Sequence, residues 1–492
     1  MAIIPISRAG VPEKEANPPS LSASNEEKLS LGQVENALET APDEYDIDVK
    51  AEKRLVRRLD MRIIPTTMIV YVASSLDRSN MGNAKILNAD HNDSLQQTLR
   101  ISNSQYVNAL VIFFVAYAIF EVPSNYMLKR FFPSRWFTFI MFGWGVMTMI
   151  QASVTNFGRL AAVRFLMGAF EAGFFPGIIC FLTFWYKPRE RALRIALISA
   201  STTVGGAFGG AIAYGIGYLD GARGVKGWQW LCLFEGALTC TLSLLVLGIL
   251  PDYPETVRWL TVSERALAIQ RLKTDSPKGL ARISLAETIA TLLDWRLYLH
   301  YLVFLCVSPA FSSFSLFTPT IVSELGFTGL NAQLFTVPPF AAAFAVTVCI
   351  SWAADRYERW SMLALICSTL SGVFFIVEGA IPPTNFVARY IVLCFTASFA
   401  YACNPLLLSY LTVNLRGTSA MTLGVPMNIT LATAGQITGL FIYKPNEVPA
   451  YHTGHFTNAA FMLLGAVIIA LLRIIYSRRN KHLTPGAKPW RV

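Results

Sequence analysis

Charge is what this sequence has least of. Of its 492 residues only 15% are Asp, Glu, Lys or Arg, while 53% are hydrophobic. Soluble domains carry about a quarter charged residues. Histidine is also scarce: five residues, at 91, 300, 452, 455 and 482, with no HExxH pair and no cluster for a metallohydrolase. No nucleotide-binding P-loop is present, so ATP-driven pumping by this chain alone is excluded. The eight cysteines, at 180, 232, 240, 306, 349, 367, 394 and 403, sit in apolar surroundings. They show neither metal-ligand spacing nor a secreted disulfide framework. The opening Met-Ala-Ile-Ile-Pro is too short and broken for a secretory signal. The net charge of +10 comes without a basic domain, so a nucleic-acid partner is not expected.

Long apolar runs are abundant instead. Crossing ~30 Å of hydrocarbon takes about 20 mostly apolar residues as a helix. Twelve such spans can be drawn: 63–84, 106–128, 136–155, 158–184, 193–218, 229–250, 297–321, 331–353, 361–381, 388–412, 418–442 and 455–476. The fold class is therefore an all-α polytopic membrane protein of twelve transmembrane helices in two six-helix bundles. The expected organisation is a disordered cytosolic tail over 1–60 and a first bundle over 61–250. A central cytosolic loop over 251–295 follows, then a second bundle over 296–476 and a tail over 477–492. Residues 1–60 hold twelve acidic residues with Pro, Ser and Asn, a composition that resists folding. In the central loop, Thr261-Val262-Ser263-Glu264 fits a capping box that starts a short helix. Its basic face is expected to meet the inner leaflet.

Lysine and arginine fix the expected orientation. With a cytosolic amino terminus, 29 of the 41 lie in cytosolic loops or beside the inner face, against seven outside. Both termini are thus expected in the cytosol, at the plasma membrane. The basic excess then reads as an orientation signal.

Six plus six spans about a cytosolic loop suggest two fused, parallel-related bundles. Basic connections recur at matching places, Lys129-Arg130 after span 2 and Asp355-Arg356 after span 8. Ser351-Trp352-Ala353-Ala354-Asp355-Arg356 resembles the loop signature of the major facilitator superfamily, with Asp355 and Arg356 as its gating pair. Arg164-Phe165-Leu166-Met167-Gly168 is similar to that superfamily's fourth-helix motif. Three further stretches resemble the anion:cation symporter family, especially its fungal allantoate-permease-like branch. They are Leu59-Asp60-Met61-Arg62-Ile63-Ile64-Pro65, Leu76-Asp77-Arg78-Ser79-Asn80-Met81-Gly82-Asn83-Ala84, and Gly168-Ala169-Phe170-Glu171-Ala172-Gly173-Phe174-Phe175-Pro176-Gly177. The loop after span 2 departs from the superfamily signature, with Met127 or Leu128 where an acid is usual.

Charges inside the spans carry the functional reading. A charged side chain at mid-bilayer costs ~2.5–3.5 kcal/mol on insertion scales, so each should face protein or water. The set is Asp77, Arg78, Glu121, Arg164, Glu171 and Glu235. Asp77 and Arg164 fall at nearly the same depth, and Glu171 ~10 Å deeper on the Arg164 face. Asp77 and Arg78 point about 100° apart, so their partners must come from other helices. Two guanidiniums facing a cavity suit a carboxylate, and nearby carboxyls could carry a proton. The resemblance implies the same roles: Arg78 and Arg164 with substrate, Asp77 and Glu171 with the proton. It would also place Tyr117 and Asn428 at the cavity. Glu121, near the inner end of span 2, is expected to pair with loop arginines. Gly205-Gly206-Ala207-Phe208-Gly209-Gly210 reads as a close-packing stripe.

The expected function is secondary active transport, proton-coupled uptake of a small organic anion by alternating access. The alternatives are export of a fungal metabolite or a non-transporting nutrient sensor. No cofactor or metal is expected, and the partners would be the small anionic substrate, protons and lipid, with the protein acting as a monomer. The orientation yields a direct prediction. Asn92-Asp93-Ser94 is a glycosylation sequon in the first external loop, whereas Asn428-Ile429-Thr430 lies within a span. Any glycosidase-sensitive band shift should therefore vanish in Asn92→Gln; a shift that survives would contradict the assigned loops.

Overall fold

A computed structural model describes residues 49–275, 289, 291–325, 327, 330–415, 418–483 and 489–492. Of the tail expected over 1–60, residues 1–48 lie outside the described residues. Span 1 is Val49–Ile86, span 2 Asn103–Arg130 and span 3 Pro133–Gln151. Span 4 is two pieces, Phe157–Glu171 and Phe174–Leu182, followed by span 5, Pro188–Gly217, and span 6, Gly227–Ile249. After the helix Val262–Asp275 come span 7, Trp295–Glu324, and span 8, Leu330–Leu334 continued by Val337–Arg356. Spans 9 to 12 are Trp360–Ala380, Phe386–Asn414, Thr418–Phe441 and His452–Lys481.

Nine of these, among the described residues, are long and apolar enough to cross a membrane by composition alone; spans 1, 3 and 11 fall short. Span 1 falls short because of Ser74, Ser75, Asp77, Ser79, Asn80 and Asn83, all of them buried. Its polar groups face protein, as a membrane requires. Span 1 also begins earlier than expected, at Val49 within the supposed tail. Leu55 and Leu59 continue the stripe of Ile63 at helical spacing and are fully buried, and Arg58 binds Glu264 of the central helix. At the other end, helix persists to Lys481, and Trp490 stacks on Tyr476 with centroids 5.5 Å apart.

The packing repeats. Span 1 lies on spans 5 and 6, span 2 on span 4, and span 3 on spans 4 and 6. Adding six to every number gives the second set: 7 on 11 and 12, 8 on 10, and 9 on 10 and 12. Between the sets, span 1 meets span 7, span 2 meets span 11 and span 5 meets span 8, contacts that the same shift exchanges.

Glycines set how close these helices come. A Cβ on Gly206 would lie 2.7 Å from Phe340, and one on Gly210 2.0 Å from the Thr336 hydroxyl, so span 5 presses directly on span 8. Gly205 and Gly209 face Ser75 and Ser79 of span 1 in the same way. The stripe is a packing surface. The central helix has its capping box, Glu264 N–H to the Thr261 hydroxyl at 3.3 Å and Thr261 N–H to Glu264 at 3.0 Å. Its arginines are turned inward, however. Arg271 is fully buried, donating to the Trp185 carbonyl at 2.6 Å and to Glu190 at 3.1 Å, and Arg265 donates to the Val257 carbonyl. Protein acceptors take these two arginines expected to meet the leaflet, since a buried donor needs a fixed partner.

Candidate substrate and proton site

The site is built around the break in span 4. Gly168 has no Cβ to keep spans 2 and 4 apart; one added there would sit 2.3 Å from the Phe113 carbonyl oxygen. The chain then leaves the helix after Glu171 and restarts at Phe174 through Gly173, whose φ of +76° favours glycine. Span 4 had been expected to run unbroken, and Gly173 with Pro176 is the local signal for the interruption. Glu171 sits at the end of the first piece, 1% exposed. Its Oε1 accepts from Arg78 Nε at 2.6 Å and from the Ser74 hydroxyl at 2.7 Å, while Oε2 has no partner. Ser74 is one turn before Arg78, so both reach one carboxylate from one helix face. The Arg78 guanidinium also lies 5.0 Å from the Tyr117 ring centroid, a cation–π contact from span 2.

Arg164 has no such partner. It is 2% exposed, its Nη1 reaches only the Met167 sulfur at 3.7 Å, and Nε and Nη2 make no hydrogen bond. A guanidinium carries five donors and cannot shed its charge, so leaving it unmatched in a buried site is costly. It faces a narrow cavity between the two bundles, with room for about one water. Arg78, Phe113 and Phe114 line the first-bundle side; Phe311, Ser312, Ser315 and Gln436 line the other. Two cations thus share an otherwise apolar wall opposite two serines and a glutamine.

Asp77 turns the other way. Its Oδ2 accepts from Trp144 Nε1 at 2.9 Å and from the Thr239 hydroxyl at 3.2 Å, placing it among spans 1, 3 and 6. The helical turn between residues 77 and 78 thus separates the acid from the cavity. Asn428 is fully buried, neither of its amide atoms has a partner, and it is not in the cavity lining. Span 11 instead contributes Gln436, eight residues or ~12 Å further along. Glu121 finds Thr430 of span 11 rather than loop arginines, accepting its hydroxyl at 2.9 Å. Being fully buried, it lies out of reach of solvent-facing loop side chains.

On the face that carries both ends of the described chain, Arg194 of span 5 forks onto Asp60 of span 1, both contacts at 2.6 Å. Asp355, half-buried, lies within electrostatic reach of Arg194 from the opposite bundle, whereas Arg356 is exposed. Asn92 is exposed on the opposite face. Sequence reasoning did not single out Ser74, Trp144, Asp60 or Gln436. Ser74 had a signal, its one-turn spacing from Arg78; the others depend on which helices meet.

The model of the Major Facilitator Superfamily matches residues 67–440. The chain belongs to the major facilitator superfamily. Among its superfamily relatives is "MFS transporter prlL" of a fungal species, strain NRRL 50135, 44% identical over 93% of this chain and 94% of that one. "MFS-type transporter cnsO" of Penicillium expansum is 31% identical over 96% and 94%. The solved proton:xylose symporter XylE, bound to 6-bromo-6-deoxy-D-glucose, shares the fold at a TM-score of 0.65 and 14% identity, over 84% of this chain and 96% of that one. The protein is a multi-pass membrane transporter of this superfamily.

The Arg78–Glu171 geometry makes a prediction. Removing one partner of a buried ion pair costs about 3–5 kcal/mol. With Arg78 17% exposed on its side chain, Glu171→Ala should lie near the low end of that range, about 3 kcal/mol. Glu171→Gln should cost less, because its amide oxygen can still accept from Arg78 and Ser74. Thermal unfolding of the purified variants checks this; equal losses would show that the accepted hydrogen bonds are not what matters.

Proposed function

We propose that the protein is a proton-coupled transporter of a small organic anion, working by alternating access, with the anion's carboxylate on Arg164 and Arg78 beside it. The observation that carries this reading is Arg164, a buried guanidinium with free donors at the wall of a cavity between the bundles. A carboxylate would fill those donors in a fork. Tyr117 would keep Arg78 in place through the face of its ring. Asn428, off the cavity, would act through span 11 packing.

Coupling follows from charge. Arg78 now neutralises Glu171. A substrate carboxylate that draws on Arg78 leaves Glu171 buried without its cation, and a proton on Glu171 removes that cost. Asp77 is the second proton candidate, held by Trp144 and Thr239. The halves already touch at both ends of the seam. On the Asn92 side Gly82 abuts the Leu316 carbonyl and Gln333 donates to the Asn83 carbonyl; on the other side Thr430 bonds Glu121 and Ser409 donates to the Ala192 carbonyl. Alternating access would break one set at a time, with Asp355, Arg356 and Arg194 at the inner gate. The residues around Asp77, Arg78 and Glu171 support placement in the anion:cation symporter family, near its fungal allantoate-permease-like branch. Uptake across the plasma membrane with cytosolic termini is the matching physiology.

Uptake of a panel of radiolabelled small monocarboxylates into proteoliposomes, with an imposed pH gradient, tests the reading. Arg164→Lys keeps the charge and loses the fork. A charge-assisted hydrogen bond is worth about 1.5–3 kcal/mol, so uptake at low substrate should fall roughly ten- to a hundredfold. Glu171→Gln should retain counterflow and lose accumulation. Normal uptake by Arg164→Lys would remove Arg164 from substrate binding.

A further inference from the structure

A second polar seam runs inside the first bundle, among spans 1, 3 and 6, and the transport reading leaves most of it unused. Glu235 of span 6 is 1% exposed, and neither of its oxygens has a hydrogen-bond partner. It faces Asp77 and Asn80 of span 1, and both amide atoms of Asn80 are likewise buried and unpartnered. From span 3, Gln151 brings an unpartnered Oε1, with its Nε2 3.4 Å from the Cys232 sulfur. Asp77 keeps one oxygen free as well. The spacing makes this one surface: Asp77 with Asn80, Thr148 with Gln151, and Cys232 with Glu235 each lie about one turn apart. Buried polar atoms left unmatched together mark a place for water or a small cation.

The charges do not cancel. The described interior of the first bundle holds four buried carboxylates; Glu121 lies apart on Thr430 of span 11, which leaves Asp77, Glu171 and Glu235 to meet two guanidiniums, Arg78 and Arg164. Arg78 is committed to Glu171 at 2.6 Å. Arg164, within electrostatic reach of Cys232, Asp77 and Glu171, is the other guanidinium of this interior. Span 3 presents Trp144, Thr148 and Gln151 there, and span 5 residues 205–213 carry no ionisable group. One negative charge is in excess, and two adjoining carboxylates in such a site do not both ionise.

We propose that Asp77 and Glu235 hold one proton between them in a hydrated seam behind Arg164. Glu235 is then a proton-holding residue of the first bundle, separate from Glu171 and away from the cavity. One carboxyl carries the proton while the other stays ionised, the two linked through water that Asn80 and Gln151 order. The resident proton belongs to this pair and not to the coupling step, so the proposal does not rest on the transport reading.

Infrared spectroscopy of the purified full-length protein in lipid, without substrate, reads the resident proton through the carbonyl stretch of a protonated carboxyl. At neutral pH the unmodified protein should show such a component. Replacing either acid balances the other against Arg164, so Asp77→Asn and Glu235→Gln should each remove the same part of the component. It should persist in Glu121→Gln, which alters a buried acid elsewhere. Unchanged amide bands and a monodisperse elution profile identify the folded variants. No protonated-carboxyl component in the unmodified protein overturns the proposal without recourse to variants. A component that Glu235→Gln leaves undiminished overturns it too, and so does one abolished by sodium at constant pH, which would make the seam a sodium site. Because no substrate is used, failure of the carboxylate-transport reading would leave this result standing.

Discussion

An arginine cannot give up its proton, and in a membrane interior its charge must be met by something. The first bundle contains two such arginines and treats them differently. Arg78 is paired with Glu171 through Nε and covered by Tyr117, while Arg164 is buried with no acid in hydrogen-bond reach. The break at Gly173, the close approach at Gly168 and the divergence of Asp77 from Arg78 all serve to keep one guanidinium matched and the other open. An ion pair of this kind contributes little net stability, since desolvation offsets its attraction. In the proposed mechanism its value lies in being exchangeable, an incoming carboxylate replacing Glu171 at modest net cost.

The two bundles repeat each other in packing and differ in charge. The shift by six that exchanges helix contacts does not carry Arg78, Arg164 or Glu171 into the second bundle, whose cavity wall is Phe311, Ser312, Ser315 and Gln436. The face with the chain ends is asymmetric as well. Asp355 after span 8 reaches toward Arg194, but the matching place after span 2 is Leu128, apolar and buried. At the cavity, one bundle thus supplies the ionisable groups and the other supplies serines, a glutamine and apolar side chains.

The helices and the buried charges were legible in the sequence because both follow from the cost of placing polar groups in hydrocarbon. Leu55 and Leu59 were misjudged because twelve acids across 1–60 masked a short apolar stripe. What could not be read was which helix each charge faces. Glu121 meets Thr430 some 300 residues away. Asn428 lies in a span with Thr, Gly and Gln on several sides, so no apolar face announced its direction. The arginines of the central helix turned inward because Trp185 and Val257 offer them carbonyls, a tertiary fact with no local mark.

The central claim is that a buried site with this charge balance accepts a carboxylate only with a proton. Uptake of a transported monocarboxylate, measured with the membrane potential and the pH gradient clamped independently, tests it most directly. The account predicts initial rates that follow the pH gradient and ignore the potential, because anion and proton enter as a neutral pair. Uptake that follows the potential and ignores the pH gradient would contradict it.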